Sequence, residues 1–232
     1  MPSGLRAVLF DFDGVIVNSE PLHYLAFHEV LRAEKVDLTE QEYYREMIGF
    51  DDKGAFKRIY EMRGIALEPK VFLRLLTRKS EVMMELIRQR KHEALPGAAE
   101  FIRSLWREYP LAICSGALRE EIEIMLEGIS LRDCFKTIVS AEDVTRGKPD
   151  PQGYLLTVAK LSQMAHRELR PSECLVVEDA PTVIRSVKEA GFPTLGVATT
   201  YPVEKLSDAD YAVASLDPMT VKRKIPGLKM ML

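Results

Sequence analysis

Length, composition and charge exclude several classes of protein. The chain has 232 residues, 29% of them charged, and a formal net charge of −3. A nucleic-acid-binding protein needs a basic face, because neutralising phosphates supplies most of its affinity. No apolar run approaches the ~20 residues that span a bilayer, and no targeting segment is visible. The three cysteines lack close spacing and fit neither a disulfide framework nor a zinc site.

We therefore expect a cytoplasmic protein with no nucleic-acid and no membrane partner. The only dense basic run, residues 222–224, is interpreted as the solvated end of a helix. Either a monomer or a weak homo-oligomer is compatible with the sequence.

Short apolar runs rich in β-branched residues predict the strands. They lie at residues 7–10, 111–114, 137–139, 175–177, 194–197 and 211–213. Each run is too short for a helix and is typical of a strand buried on both faces. Helix-period segments separate the later runs, at residues 98–108, 118–126, 152–161 and 182–190. This alternation predicts an α/β fold with an open parallel sheet covered on both sides.

A helical module interrupts the pattern after the first strand. Its helix-period segments lie at residues 21–33, 40–47, 52–63 and 69–91. Ser19 is expected to cap the first helix, and Thr39 with Glu42 predicts a capping box for the second. We expect an all-helical domain at 17–93, inserted into an α/β domain made of 1–16 and 94–232. The C-terminal tail from Lys229 is expected to be loosely packed.

Polar residues follow the first strand, and ligands bind beyond the carboxyl ends of parallel strands. Asp11 and Asp13 flank Phe12 there. Asp11 could act as a nucleophile, and Asp13 as a general acid and then a general base. A carboxylate that attacks a phosphate dianion needs a cation, and Mg²⁺ prefers oxygen ligands. The competing interpretation is a pair of polar turn residues.

Three further polar clusters follow later strands. Ser115 and Gly116 could cradle a phosphate at the start of a helix. Lys148 could offset the charge of the transferring phosphoryl group. Glu178 and Asp179 end a buried strand, where carboxylates are costly unless they are paired or bind a metal. Each cluster alone fits an ordinary helix cap or surface loop; their order after successive strands favours a shared site.

With these four motifs, the chain resembles the haloacid dehalogenase superfamily. The matching stretches are residues 11–15, 115–116, Lys148 within 147–151, and 178–180. The resemblance covers nearly the whole chain and is strongest to the helical-cap (C1) branch, which includes β-phosphoglucomutases and phosphoglycolate phosphatases. It implies a Rossmann-like three-layer core with an inserted, mobile helical cap.

The resemblance also implies a role for each motif residue. Asp11 would carry an aspartyl-phosphate, and Asp13 would be the acid/base, with its backbone carbonyl on the metal. Lys148 would hold the phosphoryl group together with Ser115 and Gly116. Asp11, Asp13, Glu178 and Asp179 would form the Mg²⁺ site. The superfamily's dehalogenases lack the second aspartate, so Asp13 argues against that branch.

In the cap, the resemblance suggests three substrate-binding residues, His23, Gly49 and Lys79. His23 and Lys79 stand near positions where the mutases have a histidine and a lysine, although His23 fits a helix surface equally well. Gly49 opens a loop in which Asp52 occupies the place of the mutases' phosphate-binding arginine. A carboxylate would repel a second phosphate, which favours a phosphatase over a mutase.

The leading hypothesis is therefore a Mg²⁺-dependent phosphatase. Its partner would be a small phosphorylated metabolite, a sugar phosphate or a phosphoglycolate-like monoester. The alternative is a sugar-phosphate mutase like β-phosphoglucomutase. Two less favoured hypotheses are a phospho-accepting signalling module and a non-catalytic binding protein of the same fold.

Overall fold

The computed structural model describes residues 4–47, 50, 52–89 and 92–231. The chain divides into two compact units, which are treated separately below. The core unit is Met1–Asn18 with His92–Leu232, and the inserted unit is Ser19–Lys91. The expected helical domain was placed at residues 17–93, whereas the inserted unit spans Ser19–Lys91; its action as a cap remains a prediction.

A six-stranded parallel sheet forms the centre of the core unit, as the sequence predicted. Its order is β3-β2-β1-β4-β5-β6. Because the chain runs outward from β1 to β3 and then resumes on the other side of β1, the topological switch lies between β1 and β4. The strands are β1 Ala7–Phe10, β2 Leu111–Cys114, β3 Phe135–Val139, β4 Cys174–Glu178, β5 Thr194–Val197 and β6 Tyr211–Val213.

The helices divide between the two units. Those of the inserted unit are α1 Glu20–Ala33, α2 Glu40–Glu46, α3 Asp52–Arg63 and α4 Pro69–Gln89. Those of the core unit are α5 Ala98–Leu105, α6 Arg119–Gly128, α7 Gln152–Met164, α8 Pro181–Glu189 and α9 Pro218–Lys224. In the core unit α7 packs against β2 and β3, and α8 against β4 and β5, giving the expected Rossmann-like fold. Within the described ranges, no helix is both long and apolar enough to cross a membrane.

The inserted unit is built on the packing of α1 against α4. Phe27 of α1 meets Phe56 of α3 edge-on, with ring centroids 4.8 Å apart. The predicted capping box is confirmed, because the Thr39 hydroxyl accepts the Glu42 N–H and the Glu42 carboxylate accepts the Thr39 N–H. Ser19 does precede α1, but its backbone is helical and its side chain makes no capping hydrogen bond, so that prediction was wrong.

The C-terminal part of the core unit is more ordered than expected. The helix α9 was not predicted; Asp217 caps it by accepting the Thr220 N–H at 2.7 Å. The basic run 222–224 is its last turn, as the interpretation of a helix end required. The tail is tied down, because the Lys229 N–H donates to the Tyr109 hydroxyl at 3.0 Å.

The two connections to the inserted unit lie side by side in the core unit. Val17 and Ala94 form an antiparallel bridge. The Leu95 N–H donates to the carbonyl of Ile16 at 2.8 Å. Just beyond, Gly97 takes a left-handed conformation, with φ of +82°, before α5 begins. A Cβ there would lie 2.7 Å from the backbone nitrogen of Asp217, so the position has no room for a side chain.

This crowding predicts a difference between two glycine substitutions in the core unit. Gly97 and Gly191 both have positive φ, +82° and +90°, but nothing lies within 4 Å of a Cβ on Gly191. Gly191→Ala should cost only left-handed strain, about 1–2 kcal/mol. Gly97→Ala should lower the free energy of unfolding by about 1–3 kcal/mol more, because backbone must move. Urea unfolding followed by circular dichroism measures both, and equal losses would contradict the packing described here.

Candidate active site

Three carboxylates meet at the carboxyl edge of the central strands. Asp11 follows β1, Glu178 is the last residue of β4, and Asp179 comes next. The Asp11 N–H donates to the Val177 carbonyl at 2.9 Å, which continues the ladder between β1 and β4 one step past Phe10. Each acid offers an oxygen that lies within 4.8 Å of the others. The sheet register therefore brings together two motifs that are far apart in the sequence.

Lys148 reaches the same cluster from the loop before α7. Its Nζ lies 2.6 Å from Oδ1 of Asp11 and 2.7 Å from Oε1 of Glu178. The loop is held by Gln152, whose side-chain oxygen accepts the Arg146 N–H at 2.8 Å. The ammonium of Lys148 is thus directed at the carboxylates of Asp11 and Glu178.

Glu178 is completely buried and its carboxylate is surrounded by donors. Oε1 accepts from Lys148 at 2.7 Å and from the Tyr154 hydroxyl at 3.2 Å. Oε2 accepts the N–H groups of Asp179 and Ala180, both at 2.9 Å. Four donors match the roughly four acceptor positions of a carboxylate. Glu178 therefore serves as an anchor for Lys148 and for the turn that carries Asp179.

The charges in this cluster do not balance. With all three carboxylates ionised, the cluster would carry two negative charges more than the single ammonium of Lys148 compensates. Burial raises the pKa of Asp11 well above its usual value, with Lys148 opposing and Glu178 adding to the rise. Burial and the charge of Glu178 raise the pKa of Asp179 to about 7. Burial alone would lower the pKa of Lys148, but Asp11 and Glu178 raise it. An oxygen-only donor set with two excess negative charges fits a hard divalent cation.

The turn after β1 closes against Asp179. Gly14 has φ of +76°, and a Cβ on it would lie 2.2 Å from Oδ2 of Asp179. Thr200, in the loop after β5, donates its hydroxyl to the same oxygen. Thr200 and Tyr154 were not predicted, because neither belongs to one of the four motifs that follow the strands.

Three other expected site residues lie outside the three-carboxylate cluster: Asp13, Ser115 and Gly116. Asp13 is half-buried and bridges to Val17, and it is not part of the three-carboxylate cluster in the described residues. The Ser115 hydroxyl accepts the Ala117 N–H at 3.0 Å, and Gly116 is exposed with open space beside it.

The expected helix start at Ser115 was wrong. The helix α6 begins later, at Arg119. The N–H of Arg119 donates to Glu142 at 2.8 Å, and that of Leu118 donates to Glu121 at 3.2 Å. These amides of the first turn already have partners, so a phosphate would have to bind at the Ser115–Gly116 turn instead.

The expected cap residues form a small polar cluster inside the inserted unit. The Lys79 side chain is only 2% exposed and its Nζ lies 2.7 Å from Oδ1 of Asp52. It also lies 2.8 Å from Nδ1 of His23. Burial and the neighbouring lysine lower the pKa of His23 well below its usual range. Gly49 lies outside the described residues, and a substrate-binding role for the other two residues remains a prediction.

Comparison with known proteins identifies the family. Residues 8–197 match the family model of the haloacid dehalogenase-like hydrolases. The chain belongs to this family. It is 27% identical to validoxylamine A 7'-phosphate phosphatase from Streptomyces hygroscopicus subsp. limoneus, over 91% of this chain and 94% of the relative. It is 29% identical to the phosphorylated carbohydrates phosphatase of Thermotoga maritima, over 81% of this chain and 82% of the relative.

A solved structure of the same fold is the β-phosphoglucomutase of Clostridium difficile. It matches with a TM-score of 0.78 and 21% identity, over 96% of this chain and 97% of the other. At that identity the likeness establishes the fold and not the activity. Family members with this fold thus include both hydrolases and mutases, and the residues of the site must distinguish them.

The raised pKa values predict how cation binding depends on pH. A carboxylate must lose its proton before it binds a metal. Because the pKa of Asp179 is about 7, we expect the protein to bind Mg²⁺ about tenfold more weakly at pH 6 than at pH 8. Isothermal titration calorimetry of the metal-free protein measures this, and Asp179→Asn should abolish binding.

The matched control is Asp133→Asn. This variant alters an exposed aspartate just before β3, at the amino end of the strands and opposite to the site, and should leave binding unchanged. Equal Mg²⁺ affinity at both pH values would contradict the expected role of Asp179 as a ligand.

The raised pKa of Asp179 also affects the stability of the metal-free fold. Because folding raises this pKa from 3.8 to about 7, the free energy of unfolding should fall as the pH rises between these two values.

Proposed function

We propose that this protein is a Mg²⁺-dependent phosphatase that hydrolyses small phosphate monoesters through an aspartyl-phosphate on Asp11. The observation that carries the proposal is the position of Asp11 at the switch between β1 and β4. There its carboxylate meets the ammonium of Lys148 at 2.6 Å and lies beside the acids of Glu178 and Asp179. A nucleophile, a fixed positive charge and a cation-binding set of oxygens share one small volume.

Two displacements at phosphorus account for the reaction. A carboxylate oxygen of Asp11 attacks the phosphorus atom, and the bond to the ester oxygen breaks while Asp13 protonates the departing alcohol. Asp13 then removes a proton from water, whose oxygen attacks the phosphorus and releases inorganic phosphate and free Asp11. When bound, Mg²⁺ would offset the charge of the phosphoryl oxygens and of the attacking carboxylate. Asp11 and Asp179 would be its side-chain ligands, and Asp13 would contribute its backbone carbonyl. Glu178, also expected as a ligand, already accepts four hydrogen bonds and would contribute through the residues that it orients.

The phosphoryl group also needs donors from this chain. Lys148 is already directed at Asp11, so its ammonium would lie beside the transferring group and oppose the growing negative charge. Ser115 and Gly116 follow the neighbouring strand β2, where the Ser115 hydroxyl and the exposed backbone of Gly116 would approach the phosphate oxygens.

The substrate is proposed to be a phosphorylated sugar or a similar small polar monoester. Two similar proteins are named as phosphatases of validoxylamine A 7'-phosphate and of phosphorylated carbohydrates, at 27% and 29% identity. These relatives support the reaction class more strongly than any individual substrate, and a phosphoglycolate-like acid also remains within the proposal.

The polar cluster of the inserted unit favours hydrolysis over mutase activity. A mutase must bind a second phosphate, and by the resemblance Asp52 takes the place of the arginine that binds it, while Lys79 stands near the position of a lysine of the mutases. In this chain Lys79 is paired with Asp52 at 2.7 Å and is 2% exposed. Its charge is therefore already compensated, and Asp52 adds a negative charge where the mutases have an arginine.

Replacing the nucleophile should abolish turnover. We expect Asp11→Asn to reduce phosphate release from p-nitrophenyl phosphate with Mg²⁺ by more than about 1,000-fold, because the asparagine amide cannot form the aspartyl-phosphate. The matched variant Asp133→Asn makes the same chemical change at an exposed site and should retain wild-type activity. Equal rates for Asp11→Asn and the wild-type protein would reject Asp11 as the nucleophile.

A product assay separates the two enzyme classes. With β-glucose 1-phosphate and the corresponding bisphosphate, we expect inorganic phosphate to form faster than the 6-phosphate isomer, because the carboxylate of Asp52 would repel a second phosphate. Coupled detection of both products over the same time course measures the ratio. Faster appearance of the isomer, lost in Asp11→Asn, would instead establish a mutase.

A further inference from the structure

The phenol of Tyr154 lies directly beneath the candidate site. It is fully buried, in the first turn of α7. Its hydroxyl donates to Oε1 of Glu178 at 3.2 Å, the oxygen that also accepts from Lys148. The Lys148 ammonium lies 5.0 Å from the centroid of the Tyr154 ring. One side chain therefore contacts both members of the ion pair.

The surrounding fold fixes the ring in this place. The preceding residue, Gly153, has no side chain, and a Cβ there would come within 2.7 Å of the Cys114 sulfur. This allows the start of α7 to approach the end of β2 closely. On its other side the ring meets Phe192 edge-on, with centroids 6.2 Å apart. Tyr154 thus has little freedom to move away from Lys148.

We propose that Tyr154 is a positioning residue that sets the ammonium of Lys148 against Asp11. Its ring face attracts the ammonium, and its hydroxyl holds the Glu178 oxygen to which the ammonium is bound. The role in catalysis rests on the proposed function; the role in orienting Lys148 does not. Without the hydroxyl, Oε1 of Glu178 would lose the Tyr154 donor and would keep only Lys148 among these contacts. The ammonium of Lys148 would then be drawn towards Glu178.

The variant that tests this is Tyr154→Phe, which keeps the ring and removes only the hydroxyl. Tyr109→Phe is the matched control, since Tyr109 is also buried and its hydroxyl bonds to the Lys229 N–H, away from the site. We expect Tyr154→Phe to lower kcat about 10-fold to 100-fold, because the misplaced ammonium matters most in the transition state. KM should change less than about twofold, since ground-state binding is less affected. Tyr109→Phe should match the wild-type protein in both parameters.

An independent readout reports on Lys148 itself. In protein labelled with ¹⁵N-lysine, the Nζ signal of Lys148, assigned through Lys148→Arg, should shift in Tyr154→Phe and stay in place in Tyr109→Phe. A kcat within twofold of wild type, or an unmoved Lys148 signal in a folded Tyr154→Phe, would overturn the proposal. If the wild-type protein releases no phosphate from any monoester, the proposed function fails, and the Lys148 signal alone decides whether Tyr154 positions the lysine.

Discussion

The core unit is organised around a charge imbalance that is buried at the end of its sheet. Three carboxylates share a small volume with one ammonium group, and burial makes each uncompensated charge costly. Such a cluster opposes folding unless something compensates it. Catalytic sites often accept this cost, because groups that attract a cation and a phosphate cannot satisfy each other fully in their absence. The surrounding structure can be understood as the means of holding these acids in place.

The compensation is divided unequally among the acids. The Glu178 carboxylate accepts hydrogen bonds from four donors, and these contacts compensate its negative charge. Asp11 shares Lys148 and accepts the Phe12 N–H at 2.7 Å, and Asp179 accepts the Thr200 hydroxyl. The residual negative charge is therefore concentrated on the two acids that face the proposed reaction. This asymmetry turns a set of similar side chains into one structural anchor and two acids that can bind ligands.

The strand ends were predictable from sequence because parallel strands carry a short apolar pattern and their carboxyl ends meet at one edge. This was enough to bring Asp11, Lys148 and Asp179 together. Tyr154 and Thr200 were not predictable, because their contacts with Glu178 and Asp179 depend on how α7 and the loop after β5 pack against the strand ends. The helix α9 was missed because its seven residues carry too little periodicity, although Asp217 and Pro218 are a typical helix start.

The paired connections at Val17 and Ala94 have a consequence for the evolution of this architecture. Because the chain leaves and re-enters the core unit at neighbouring points, β1 and β2 can pair in the same register whatever segment lies between those points. An insertion at such a junction can be lengthened, shortened or exchanged with little effect on the register of β1 and β2. Descendants of one ancestral catalytic scaffold could thus acquire different inserted modules while keeping the same arrangement of acids.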